Sequence, residues 1–166
     1  MSSREWNGLP ADVRATIQQF QTSYPIKLSA LAQALGVPVK ASTLPPGISG
    51  EIRPDIENPG RYIIKVNRHD PPSRQRFTVA HELGHFLLHR DQIGNGISDD
   101  VLYRSTLSDR REAEANRIAA DILMPEPLVE GALKTAEVIR ADEPVAYLAK
   151  RFGVSEAAMK IRLGIE

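Results

Sequence analysis

Three of the chain's four histidines, His81, His85 and His89, fall within nine residues, and Glu82 follows the first of them. The stretch that carries them, Arg76 to His89, is otherwise apolar on nearly every face. A helix of that composition is expected to be buried. Buried ionisable side chains are costly unless they are paired or bound to a metal. The His-Glu-x-x-His spacing offers the second solution. Residues i and i+4 share one helix face, about 6 Å apart along the axis. Two imidazoles placed so can bind one Zn²⁺ at about 2.0–2.1 Å each. Glu82 can then reach a metal-bound water and act as a general base. The competing reading is a pair of core or surface histidines at accidental spacing.

A catalytic zinc needs a third protein ligand and an open position. The metzincin pattern would place glycine at position 88 and histidine at position 91. Leu88 and Asp91 stand there, which excludes that class. His89 is a further turn along the helix, about 12 Å in rise from His81. That is too far to join the same coordination sphere, so His89 is read as outer support or packing. The next candidate lies in Arg111-Glu-Ala-Glu-Ala-Asn-Arg-Ile-Ala-Ala-Asp-Ile-Leu-Met-Pro125. There Glu112 aligns with Ala115, Asn116, Ala119, Ile122 and Leu123, a core-facing stripe. Glu112 can therefore point inward at a metal, and Asn116, one turn on, can accept from a ligand histidine's second nitrogen. Glu114 is rotated about 200° from Glu112, towards Arg110 and Arg117, where a surface ion pair accounts for it. The alternative is that both glutamates are solvated helix charges. Tyr103 is the candidate for stabilising an oxyanion.

The elements that must position these residues follow from periodicity and turn chemistry. Residues 11–35 have helical spacing with a break at Tyr24-Pro25, and a Pro/Gly-rich connection runs from Pro38 to Gly50. Ser49–Arg53 and Tyr62–Val66 read as two strands of a hairpin around Asn58-Pro59-Gly60. The second strand is expected at a sheet edge facing the metal cleft, where an extended peptide could be added. A helix capped by Asp70 or Ser73 runs to about His89, and Asp91 to Asp100 reads as loop. Another helix spans Asp109 to Met124 and stops at Pro125; two short helices flank Gly153 in the tail. The result is one α+β domain over residues 1–166 with a small antiparallel sheet beside the active-site helix. Its parts are N-terminal helices (1–45), the sheet and histidine-helix core (46–135) and a helix-turn-helix-like tail (136–166).

Composition narrows the function. The 166 residues are 42% apolar and 25% charged, with 21 Lys+Arg balancing 21 Asp+Glu. A protein that binds nucleic acid through phosphates usually has a basic excess, and none exists here. With no cysteine there are no disulfides and no thiolate ligands. The N-terminus Met-Ser-Ser-Arg-Glu-Trp-Asn-Gly-Leu-Pro lacks the build of a signal peptide, and no apolar run approaches a membrane span. A cytoplasmic protein is expected.

The stretches Arg74–His89 and Glu112–Pro125, with Ile48-Ser-Gly50 and Ile63-Ile-Lys-Val-Asn67 before them, resemble the ImmA/IrrE metallopeptidases, gluzincin-like proteases of bacteria, phages and mobile elements. The resemblance runs from about Gly47 to Leu163. It implies a compact zincin-like domain with zinc held by His81, His85 and Glu112, and Glu82 as the catalytic base. It also implies a protein substrate, a helix-turn-helix repressor, whose cleavage frees genes for stress response or mobile-element transfer. IrrE-type members carry a further C-terminal sensor-like domain, and the compact form without one is the expectation for this chain.

Val145 to Leu163 itself resembles a helix-turn-helix, with Gly153 in the turn, Ser155 as a cap, and Lys160 and Arg162 able to meet phosphate. The alternative is a structural helix pair with Met159, Ile161 and Leu163 as core. Two other functions therefore stand beside the endopeptidase: a DNA-binding regulator with a structural zinc, and an inactive protease-like binding protein.

Overall fold

The computed structural model describes residues 2–100 and 107–165. The chain is α+β, as expected. Three short helices open it: α1 (Arg4–Asn7), α2 (Ala11–Gln18) and α3 (Leu28–Ala34). The strands β1 (Val39–Ser42), β2 (Ile48–Pro54) and β3 (Tyr62–Asn67) follow, then the long helix α4 (Pro72–Leu88). After a single 3₁₀ turn come β4 (Ile97–Asp100), α5 (Asp109–Leu123), α6 (Glu126–Val138), α7 (Pro144–Phe152) and α8 (Glu156–Leu163).

The sheet order is β1-β3-β2-β4. The β2–β3 hairpin and the β2–β4 pair are antiparallel, but β1 runs parallel to β3. The sheet is thus mixed rather than antiparallel throughout. Two strands were hidden in segments rich in turn residues. β1 lies in the Pro/Gly-rich connection, and β4 lies in the stretch read as loop. Their arrival moves Tyr62–Asn67 to an interior position, so it is not the edge expected of it. Among the described residues the edges are β1 and β4.

Helix α4 starts after Pro71, without a side-chain cap from Asp70 or Ser73. Proline has no N–H to satisfy and presets φ, so a Pro-initiated first turn needs no such cap. Helix α5 has the stronger start, with the Ser108 hydroxyl accepting from the Arg111 N–H. Pro125, which ends α5, also begins α6, where buried Val129, Ala132 and Ala136 face inward. Small residues give that stripe a weak apolar signature, and the helix is not evident from the sequence.

Helix α4 lies across β2 and β3 on one side and against α5 on the other. Two glycines set how close these approaches are. A Cβ on Gly50 would stand 2.4 Å from Thr78 Cγ2, and one on Gly84 would stand 2.5 Å from Ile118 Cγ2 and 3.0 Å from the Ala115 carbonyl oxygen. Ordinary carbon–carbon contact is about 3.5–4.0 Å. Only a residue without a side chain lets β2 and α5 come this near to α4. Fully buried Ile52, Ile64, Leu83, Ile118 and Ile122 fill the space around these contacts.

The tail forms the helix pair anticipated around Gly153, which takes a left-handed conformation (φ 68°). Ser155 caps α8, accepting from the Ala158 N–H. Met159 is fully buried and Leu163 packs at the core's margin, but Ile161 is 80% exposed and is not core. Phe152 is buried and stacks on Tyr24, with ring centroids 4.5 Å apart. No helix among the described residues is long and apolar enough to cross a membrane.

Candidate metal centre

The helical repeat puts His81, Glu82 and His85 on the buried part of α4, all with no exposed surface. The close approach at Gly84 brings Glu112 of α5 against them. His81 Nε2 lies 3.1 Å from Glu112 Oε1, His85 Nε2 lies 3.2 Å from Glu112 Oε2, and the two Nε2 atoms are 3.1 Å apart. Three side chains thus converge from two helices, with one Glu112 oxygen against each imidazole.

The other ring nitrogens of the two histidines have partners of their own. His81 Nδ1–H donates to Asn116 Oδ1 at 2.7 Å. His85 Nδ1–H donates to His89 Nδ1 at 2.9 Å, and His89 Nε2–H donates to Glu114 Oε1 at 3.0 Å. This direction leaves the Nε2 lone pairs of both His81 and His85 pointing at one spot. A second partner that fixes tautomer and ring orientation is the usual support of a ligand histidine. His89 is therefore a link between His85 and α5, outside the converging set. Glu114 is more than a surface ion-pair partner. Besides His89 it meets Arg111 at 3.3 Å and Arg110 at 3.8 Å, while Arg117 turns away to Glu5.

The charges need a cation. Glu82 and Asp99 are fully buried, and neither carboxylate makes a hydrogen bond of ordinary length among the described residues. Burial pushes the Glu82 carboxyl well above the usual range, and the charges of Asp99, Glu112 and Glu51 add to the rise. Burial also works against the His81 imidazolium, yet the Asp99 and Glu112 carboxylates outweigh it and hold its pKa at about 9. For Glu112, burial alone would raise the pKa, but His81 and His85 bring it below the ordinary carboxylate range. Three buried acids around two imidazoles make a site short of positive charge. The donors fit a divalent ion: atoms 2.0–2.1 Å from a tetrahedral Zn²⁺ are about 3.3 Å from one another, close to the 3.1 and 3.2 Å seen here.

Comparison with known proteins agrees with this chemistry. The model of the IrrE N-terminal-like domain, a peptidase family, matches residues 32–164. The chain belongs to that family. The radiation response metalloprotease IrrE of Deinococcus radiodurans is 36% identical over 105 residues, covering 61% of this chain and 30% of that protein. Uncharacterized immunity region protein 2 of Bacillus phage phi105 is 29% identical over 121 residues, covering 73% of this chain and 71% of that one. The chain therefore spans about a third of the IrrE proteins it matches, which include a second one from Deinococcus deserti at 34%. A solved structure described as a Mycobacterium tuberculosis transcriptional regulator shares the fold, with a TM-score of 0.57 at 22% identity over 96% of this chain and 48% of that one.

Within this IrrE-like domain, His81, Glu82, His85, Glu112, Asn116 and His89 come together, and Tyr103 lies outside the described residues. Asp99 joins them unforeseen. It stands opposite Gly50 in the β2–β4 register. Its one sequence trace is the alternation Ile97-Ser-Asp99, which puts Asp99 on the face of Ile97, but the preceding Gly94-Asn-Gly96 makes the segment read as a turn.

Proposed function

We propose that the chain is a zinc-dependent endopeptidase in which His81, His85 and Glu112 hold the metal and Glu82 is the general base. The observation that carries this reading is the convergence of three buried metal-binding side chains beside a buried glutamate that makes no hydrogen bond of ordinary length among the described residues. A bound Zn²⁺ would supply Lewis acidity and bring the pKa of water close to neutral. Glu82 takes the proton from the attacking water and returns it to the departing amine. A carboxyl whose pKa its surroundings raise suits a group that must both accept and give a proton. Asn116 and the His89–Glu114 pair keep the two imidazoles from rotating during that exchange.

An extended peptide needs a free sheet edge, and β4 is the edge strand that carries a residue of the site. Backbone pairing along β4 would lay the peptide beside the metal and read few side chains. The substrate we propose is a helix-turn-helix repressor cut at an exposed segment. Family resemblance and the phage immunity-region relative support that choice. Direct binding of DNA by the tail is disfavoured. Arg162, one of its two phosphate candidates, is turned inward, donating to the Met124 carbonyl at 2.9 Å and forming an ion pair with Asp121 at 3.0 Å. The structural-zinc reading draws on one observation, the nearness of Asp99 as a fourth donor. The inactive-protein reading has the buried Glu82 against it.

The test uses the zinc-loaded chain and a helix-turn-helix repressor, taken from the adjacent reading frame where that frame encodes one. Wild type is expected to cut it at one position, sensitive to chelator. Glu82→Gln is expected to keep its zinc and its fold and to leave the repressor intact. Cleavage by Glu82→Gln at the wild-type rate would remove Glu82 from the mechanism.

A further inference from the structure

The fourth buried donor has a geometry of its own. Asp99 Oδ2 lies 3.6 Å from His81 Nε2 and 3.7 Å from His85 Nε2. One donor atom from each of His81, His85, Asp99 and Glu112 can be chosen so that all lie within 4.8 Å of one another. Four atoms around a tetrahedral zinc are separated by about 3.3 Å, so Asp99 stands near the fourth corner. Among the described residues its carboxylate makes no hydrogen bond of ordinary length, although the two imidazoles and the Glu82 carboxyl lie close to it, and it has no exposed surface. An ionised carboxylate buried in that way is strongly disfavoured unless a cation meets it. The cation-binding groups facing it are the same two imidazoles.

With Asp99 there, the centre is closed. Asp99, His81, Glu82 and His85 have no exposed surface, and Glu112 has 7%. A peptide bond cannot reach donors sealed in this way. The element that carries Asp99 is the one best able to move. Among the described residues β4 pairs with β2 alone, and its register slips between Ile48 and Gly50, next to the Gly50–Asp99 pair. Ladder interruptions of this kind weaken pairing locally, and a strand paired on one side opens at lower free energy than a core helix.

We propose that Asp99 is a displaceable fourth ligand, closing the metal's last position in the resting protein and withdrawing when water and an extended peptide enter along β4. This inference rests on the metal-centre reading above. It resolves the tension between a four-donor set, which alone reads as structural, and a buried general base, which reads as catalytic. The His81, His85 and Glu112 donors sit on two packed helices and stay. Asp99 sits on a marginal edge strand and leaves.

The test uses Co²⁺ as the metal, because its visible spectrum reports coordination, and azide as a small anion that competes for one position. Wild type, Asp99→Ala and the near-isosteric Asp99→Asn are compared, with far-UV circular dichroism as the check on folding. Chelator competition is expected to show Co²⁺ binding weakened roughly tenfold or more in Asp99→Ala, since loss of even an outer partner of a ligand costs about 10–100-fold. Its Co²⁺ spectrum should differ from wild type, and azide should perturb it at a concentration at least roughly tenfold lower. In wild type, concentrated azide should produce the same final spectrum by displacing Asp99. Equal Co²⁺ affinity and equal azide response in all three proteins would show that Asp99 is not a ligand. A wild-type spectrum that no concentration of azide alters would show that it is a permanent one. Failure of folded wild type to bind Co²⁺ at all would overturn the metal centre itself, a result distinct from either.

Discussion

Gly84 lies between the two histidines of the motif and is expected to set the distance between α4 and α5. In Gly84→Ala the new Cβ would meet Ile118 Cγ2 at 2.5 Å, the Ala115 carbonyl oxygen at 3.0 Å and Ala115 Cα at 3.1 Å. The Ile118 side chain can turn aside, but the Ala115 backbone can give way only by moving α5. Overpacking of this kind costs about 1–3 kcal/mol, and the gain in helix propensity offsets about 1 kcal/mol of it. The net loss of stability is then up to about 2 kcal/mol. The effect on the metal should be larger in proportion. Glu112 is one turn before Ala115 on the same face, and metal–ligand distances tolerate only about 0.2 Å. Displacement by a few tenths of an ångström is enough to weaken zinc binding about tenfold or more. Gly131 in α6 is the control, since a Cβ there meets nothing within 4 Å; Gly131→Ala should be neutral or stabilising by up to about 1 kcal/mol. Urea denaturation gives the stabilities, and competition with a chromophoric chelator gives the zinc affinities. Wild-type zinc affinity and stability in Gly84→Ala would refute the argument that this contact positions Glu112.

Two further outcomes follow from named contacts. Asn116→Ala frees the His81 ring by removing its 2.7 Å partner, so zinc affinity should fall about 10–100-fold with little change in far-UV circular dichroism. Arg117 holds buried Glu5 at 2.6 Å and lowers its pKa from 4.5 to about 2. A depressed carboxylate stabilises the fold above its unfolded pKa, and that contribution disappears as pH falls from about 4.5 to about 2. Arg117→Ala should therefore cost about 1–2 kcal/mol at pH 7 after allowance for the partly exposed arginine. The difference from wild type should shrink steadily below pH 4.5, and a gap that stays constant down to pH 2 would contradict the pairing.

The metal-binding helix was legible because its information is local. His81, Glu82 and His85 are fixed by a spacing of four within one apolar segment, and the stripe through Glu112, Ala115, Ile122 and Leu123 gave α5 its inward face. Asn116 followed from being one turn beyond Glu112. What stayed hidden depends on pairing between distant segments. β4 contains Ile97, Ser98, Asp99 and Asp100, with two acids and a glycine-rich approach, and only its register against β2 makes it a strand and turns Asp99 inward. β1 acquires its identity by running parallel to β3, a pairing that no hairpin signal announces. Once both are in place, Tyr62–Asn67 cannot be an edge. Glu114 likewise changed meaning, because its partner His89 comes from another helix. Helical periodicity reports the face of one segment; it is silent on which residue of another segment meets that face.

The central claim is that one metal ion sits between α4 and α5 on His81 Nε2, His85 Nε2 and the Glu112 carboxylate. Anomalous diffraction at the zinc edge from crystals of the zinc-loaded chain tests it most directly. The account predicts a single strong peak per chain, about 2.0–2.2 Å from each of those three donors, with Glu82 beside it but not bonded. A peak bonded to Glu114 or Glu82 in place of Glu112, or no peak between the two helices, would contradict it.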